Sequence, residues 1–338
     1  MRTAFVLFLL LSCAFLSTHA QSRSEENSVQ VLFWNVENLF DVEDDSLTND
    51  DEYVPYSMRA WNYSRYEQKL FSIYKTLVAA GGWQPPDLIA LAEVENRKVL
   101  EDLLEKTPLL RAGYQIIHQD SEDRRGIDLA VLYRPSVIQV TDTSFVSIRF
   151  PENPHSRTRD IIHLKAESVG LAAFHLFVNH WPSRYGGGRS SENKRVYVAG
   201  VLKNILDELY VQDSLVNCVV LGDFNDVPED VSLQLLASSR VNLALVTNHS
   251  FQGTHKHQGV WSHFDQVWIS TSLMKADGTL PRGAIFHPEW LLKTDKTYGG
   301  LKPRRTYEGF NYQGGFSDHL PVYIEISIDA QLAKERNN

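Results

Sequence analysis

Cysteine is nearly absent. The 338 residues hold two, Cys13 and Cys218. Cys13 falls in residues 1–20, which read as a secretory leader: Arg2 gives a positive start, residues 4–16 are apolar, and Thr18-His19-Ala20 offers a cleavage point. Cleavage after Ala20 leaves Cys218 alone, so no intrachain disulfide can form even in an oxidising compartment. Cys218 sits in the β-branched apolar run 216–221 and reads as a buried small hydrophobe, not a nucleophile. Long hydrophobic runs are also missing. The leader's apolar stretch is shorter than the roughly 20 residues that span a bilayer, and Leu11-Ser12 fits a lipoprotein signal poorly. The expected destination is the periplasm or the cell exterior.

Positive charge is in short supply as well. Lys and Arg number 33 against 42 Asp and Glu, and loss of Arg2 with the leader leaves 32 − 42 = −10. Such a chain is no general electrostatic trap for a polyanion. An activity on phosphate esters must draw on bound metal and on local basic residues. There is no Pro/Ser/Gly-rich linker, low-complexity tract or internal repeat. One catalytic domain over residues 31–330 is therefore expected, between a loose polar segment at 21–30 and a polar tail at 331–338. Nothing calls for an obligate protein partner, and a monomer is expected.

What is present is a series of short apolar runs that read as strands: 31–35, 88–92, 127–133, 158–166 paired with 171–179, 216–222, 264–270 and 320–328. Helices are expected over 64–80, with Ser64-x-x-Glu67 as a capping box and Gly81 as its stop, and over 95–106, 191–210 and 229–238. Residues 41–52 hold seven acids and read as a solvated loop; the glycine and terminal glutamate of an EF-hand are missing. Residues 293–315 read as irregular, mixing aromatic and basic side chains. Strands outnumber helices, which suggests sheets packed together with helices outside.

Polar groups gather at the strand ends. Asn35 and Glu37, Glu93, His180, and Asp223 and Asn225 follow strands; Asp265 and the pair Asp318-His319 precede them. If the two sets of strands run in opposite directions, all of these groups fall on one edge. Asn35, Glu93 and Asp318 are oxygen donors of the kind Mg²⁺ or Mn²⁺ prefers. Asp223 suits a water-orienting or proton-accepting group, Asn225 a donor to a phosphoryl oxygen, and His319 an acid–base residue partnered by Asp265. His180 adds a second imidazole. Arg184, Arg189 and Arg195 are phosphate-binding candidates, Arg195 reading better as solvated helix charge. His255-Lys256-His257 has the look of a zinc ligand pair, but no cysteine or evident third ligand supports it.

In order, Asn35-Val36-Glu37-Asn38, Glu93-Val94-Glu95, Asn179-His180, Gly222-Asp223-Phe224-Asn225, Phe264-Asp265 and Ser317-Asp318-His319-Leu320-Pro321-Val322 resemble the motifs of the endonuclease/exonuclease/phosphatase superfamily. That superfamily includes pancreatic-type deoxyribonucleases, apurinic endonucleases, neutral sphingomyelinases and inositol-phosphate phosphatases. The resemblance implies an α+β fold, a four-layered α/β/β/α sandwich of two packed mixed β-sheets with outer helices. It implies Mg²⁺ or Mn²⁺ on Glu93 with Asn35 and Asp318, and a secondary metal role for Glu37. It further implies a His319–Asp265 pair, stabilisation of the phosphorane by His180 and Asn225, and activation of water or leaving group by Asp223; either Asp223 or His319 is the base. Nucleic acid is the expected substrate, helped by Trp290, Tyr298, Tyr307, Phe310 and Tyr312 among Lys293, Lys296, Lys302, Arg304 and Arg305, although this segment reads equally as a packed surface loop. A phospholipid or a phosphorylated small molecule is the alternative.

Overall fold

The computed structural model describes residues 28–168, 171–184, 188–246, 251–275 and 277–327. The leader and the polar tail lie outside these residues. Two six-stranded sheets form the centre. The first has the order β13 (Arg282–Ile285), β18 (Val322–Ser327), β1 (Ser28–Leu39), β2 (Leu88–Val94), β4 (Asp128–Tyr133), β3 (Gln115–His118). The second runs β5 (Ile138–Val146), β6 (Ile161–Ser168), β7 (Leu171–His180), β8 (Cys218–Asp223), β12 (Asp265–Ser270), β9 (Leu243–Leu245). Three short hairpins complete the strands: β10 (His255–His257) with β11 (Val260–Ser262), β14 (Leu292–Thr294) with β15 (Leu301–Pro303), and β16 (Tyr307–Glu308) with β17 (Asn311–Tyr312).

Both sheets are mixed. β1 and β2 are parallel, as are β7 and β8, while β18 opposes β1 and β12 opposes β8. The central strands are apolar on both faces because both faces are covered. Leu32, Leu91 and Ile324 of the first sheet belong to one core with Leu164, Val178 and Leu221 of the second. Helices α1 (Tyr63–Ala80) and α2 (Arg97–Glu105) cover the first sheet with Leu70, Ile73, Leu77, Val99 and Leu103. Helices α3 (Gly188–Gln212) and α4 (Val231–Ala237) cover the second with Val198, Leu202, Leu206, Leu233 and Leu236. This is the four-layered sandwich. Cys218 is fully buried, and burial pushes its thiol up to about 12, as a small hydrophobe requires.

The local differences have physical reasons. α1 begins one residue early, and its cap is Asn62, whose side chain accepts from the Arg65 N–H; Ser64 lies inside the helix. β1 continues to Leu39 across a register shift against β2. β18 starts at Val322, because Leu320 and Pro321 are still in the approach loop. The residues expected to be irregular at 293–315 contain the β14–β15 and β16–β17 hairpins. Of the acidic loop, Asp41 and Asp50 are buried, and the rest is mostly solvated. Among the described residues, no helix is long and apolar enough to cross a membrane.

Candidate active site

Strand direction assembles the site. The C-terminal ends of β1, β2, β7 and β8 meet the N-terminal approaches of β12 and β18. Asp223 pairs in register with both His180 and Asp265, so three functional groups stand side by side on adjacent strands. His319 arrives from the facing sheet, its backbone held by the Trp34 indole N–H donating to its carbonyl at 2.9 Å. The Ser317 hydroxyl donates to the carbonyl of Asn35 at 2.7 Å and accepts the His319 N–H at 3.0 Å, which locks the loop onto β1.

On this side the imidazoles face carboxylates. His319 Nδ1 lies 2.7 Å from Asp265 Oδ2. Its Nε2 lies 3.8 Å from Asp223 Oδ2, and His180 Nε2 lies 3.7 Å from the same oxygen. The Asn35 amide donates to that oxygen at 3.1 Å, and the Asn225 N–H donates to Oδ1 at 3.0 Å. Burial would lower His319, but the Asp265 and Asp223 carboxylates overcome it and hold the imidazole well above its ordinary value. His180 has no such partner at Nδ1, and burial, with Arg159 and Arg125, drives it well below. Burial raises Asp223 to about 6 against the pull of His319. One imidazole is thus built to be charged and the other to be neutral, with a carboxylate between them.

The backbone is strained only where strands meet the site or loops turn. Glu37, Asn38, Glu93 and Asn225 all have positive φ, at 54°, 52°, 64° and 51°. Non-glycine residues in this region cost about 1–3 kcal/mol each, and such costs cluster at functional sites. The register shifts after Asn35 and after Ala92 are where β1 and β2 take up this geometry. Gly222 permits the close approach of β7: a Cβ there would fall 2.1 Å from the Asn179 carbonyl oxygen.

The other side carries oxygen donors and cations. The Asn38 N–H donates to Glu93 Oε2 at 2.9 Å, and Glu93 Oε1 lies 3.9 Å from Arg125. Asp318 Oδ2 is 3.0 Å from an Arg305 nitrogen, and although burial opposes it, Arg305 holds Asp318 down to about 2. Arg305 also donates from Nε to Glu37 Oε1 at 3.0 Å, while the Thr306 N–H donates to Glu37 Oε2 at 2.7 Å. The buried Lys69 ammonium donates to Thr306 Oγ1 at 2.7 Å and to the Phe316 carbonyl at 2.5 Å. Asn35, Glu93 and Asp318 offer the hard oxygens that a divalent ion accepts, and Glu93 keeps one oxygen clear of backbone donors. The donor set fits such an ion.

Not every expected residue joins in. Arg184 is bound by the Asn225 carbonyl at 2.8 Å and by Asp226 at 3.0 Å, and it stacks over Phe264, so it braces the Asn225 turn. The Arg189 side chain lies outside the described residues. Arg195 corrects the solvated-charge expectation: it is buried and paired with Asp226 at 2.7 Å, because α3 turns this face onto the second sheet. Asn225 keeps its amide on the Trp181 carbonyl at 3.1 Å. His255 and His257 part company, since they flank Lys256 on β10. His255 stacks beside His319 with ring centroids 4.7 Å apart, and its ligand atoms approach those of Asp318 and His319 within 4.8 Å; His257 is exposed. Of the expected aromatics, Tyr307 is buried, while Trp290, Tyr298 and Phe310 are exposed; Lys293 and Lys302 are both paired with Glu308. Arg305, Lys69 and His255 were not singled out for the site. Lys69 sits on the buried stripe of an amphipathic helix, a position where a lysine is itself a signal.

The sequence matches the model of the Endonuclease/Exonuclease/phosphatase family over residues 30–328. No curated protein matches. Solved structures with the same fold include the human Nocturnin catalytic domain with bound sulfate (18% identity, TM-score 0.54, covering 89% of this chain and 95% of that one). Another is TDP2 from Caenorhabditis elegans (15% identity, TM-score 0.56, 90% and 78% covered). A third is a mannosyl-6-phosphatase of Bacteroides thetaiotaomicron (16% identity, TM-score 0.56, 88% and 98% covered).

Proposed function

The chain belongs to the endonuclease/exonuclease/phosphatase family, a family of divalent-metal-dependent phosphoric ester hydrolases, and we propose that it is a secreted phosphodiesterase that cleaves nucleic acid. The observation that carries this reading is Asp223 Oδ2, set between two imidazole Nε2 atoms at 3.7 and 3.8 Å and accepting the Asn35 amide N–H at 3.1 Å. Asn35, Glu93 and Asp318 would hold Mg²⁺ or Mn²⁺. When bound, the ion neutralises charge on the non-bridging phosphoryl oxygens.

The remaining steps belong to the chain's own residues. Asp223, fixed by Asn35 and the Asn225 N–H, orients the attacking water and takes its proton. His319, held through Nδ1 by Asp265, presents an Nε2–H to the oxygen where negative charge develops. Neutral His180 donates to a second oxygen without repelling the metal. Asn225 keeps one amide N–H on the Trp181 carbonyl, and its second would serve the phosphoryl oxygen. The exposed Phe310, with the Arg59 guanidinium 5.4 Å over its ring, suits a stacked base. The reading of residues 1–20 as a leader supports export, and N-terminal sequencing of the exported protein is expected to begin at Gln21.

Plasmid nicking in Mg²⁺ and in Mn²⁺ is the direct test, with EDTA and His319→Ala as controls. Nicking abolished by both controls is the expected outcome. A folded, metal-loaded protein that nicks nothing would end the nuclease reading and direct the search to phospholipids and sugar phosphates.

A further inference from the structure

We propose that Arg305 is an internal cation of the site, its guanidinium standing between Glu37 and Asp318 where a second metal ion would sit, so that the enzyme works with one divalent ion. The inference rests on the metal-dependent hydrolase reading above. It also removes Glu37 from the expected ligands.

The geometry of Arg305 carries the argument. A single nitrogen, NH2, lies 3.0 Å from Glu37 Oε1 and 3.0 Å from Asp318 Oδ2. Two-metal phosphoesterases place their ions roughly 3.5–4 Å apart and join them through shared carboxylates. A group that touches two site carboxylates at hydrogen-bond distance occupies the bridging position of such a pair. Glu37 is also fully engaged: it is 4% exposed, Oε1 accepts from Arg305 Nε at 3.0 Å, and Oε2 accepts from the Thr306 N–H at 2.7 Å. The neighbouring threonine is pinned in turn, since Lys69, 2% exposed, donates to Thr306 Oγ1 at 2.7 Å. A guanidinium on an anchored backbone, bonded through both Nε and NH2, is a fixed charge and not a surface arm.

Mn²⁺ binding to the mature chain, followed by calorimetry and by Mn²⁺ electron paramagnetic resonance, tests this without any turnover. Wild type is expected to bind one ion per chain. Glu37→Gln should also bind one, with affinity within about twofold of wild type. Arg305→Ala opens the bridging position and should admit a second ion, seen as Mn–Mn coupling, and Arg305→Lys should return the count to one. Thermal melts establish that each variant is folded. Two ions in wild type overturn the inference and leave the hydrolase reading standing. So does a loss of about tenfold or more in affinity on Glu37→Gln, or a folded Arg305→Ala that still binds one. A folded wild type that binds no Mn²⁺ overturns both.

Discussion

Asp318 and His319 are consecutive, yet they serve opposite halves of the site. Asp318 faces Arg305 at 3.0 Å, and His319 faces Asp265 at 2.7 Å. The half on the second sheet pairs carboxylates with imidazoles, which can gain and lose protons. The half on the first sheet pairs carboxylates with a guanidinium, which cannot do so at working pH, and with the Lys69 ammonium, which burial lowers to about 8. The same acidic side chains thus do different chemistry according to the cation placed beside them. In the function proposed above, proton transfer belongs to the imidazole half, and the field that receives metal and phosphate belongs to the guanidinium half.

The sharpest way to break this comparison is to cut each half separately. His319→Ala should lower turnover by roughly 10³–10⁴-fold while Mn²⁺ affinity, measured by calorimetry, stays within about twofold. A large loss of metal affinity would mean that the halves are not distinct. Glu93→Gln should do the reverse at the binding step, weakening Mn²⁺ by about 10–100-fold and leaving the thermal melt of the metal-free protein near wild type. Lys69→Met should act on the fold. It strands the Thr306 hydroxyl and the Phe316 carbonyl and removes a buried counter-charge from Glu37, at a cost of about 2–4 kcal/mol in denaturant unfolding. An unchanged unfolding midpoint would show that the ammonium is dispensable.

The smallest effect concerns an imidazole pair that lacks carboxylate partners. His163 Nε2 lies 2.8 Å from His175 Nδ1, and the His163 ring stacks on Phe177 at 4.3 Å. Burial, reinforced by its neighbour His163, lowers His175 to about 4. The unfolded chain therefore takes up protons that the fold refuses. Stability is complete above the ordinary value of 6.5 and declines as pH falls towards 4. Both rings are partly exposed, so the expected loss is at most about 1 kcal/mol, and His175→Phe should flatten it. A wild-type melt indifferent to pH in this window would contradict the contrast with His319.

The sheets were legible because their central strands are continuous apolar runs, and the site because its residues recur at strand ends. The edge strands were not legible. Gln115–His118 is short, and Ile138–Val146 exposes polar residues along much of its length, so neither carries the pattern of a covered strand. The Asn62 cap lost to a plausible serine two residues on, a choice that depends on where the chain enters α1. Arg305 was legible only as one cation of the aromatic and basic segment, with nothing local to point to its place in the site. Its partner Glu37 is 268 residues away, and the left-handed turn at Glu37 that presents the carboxylate is imposed by tertiary structure, not by a glycine.

The pairing of β1 with β18 has a temporal consequence. β1 leaves the ribosome long before β18, and its hydrogen-bonding edge stays open until Val322–Ser327 arrives to close it. The same late segment brings Asp318 and His319. On the proposed roles of these residues, a chain that has not yet made this segment is catalytically blank, because it lacks the imidazole, the Asp318 carboxylate and the strand that fixes them. Activity switches on only once β18 has emerged, when two segments far apart in the sequence meet. For a phosphoric ester hydrolase, such a delay acts as a safeguard against activity before folding is finished. It is obtained at the risk that the waiting edge pairs with another chain first.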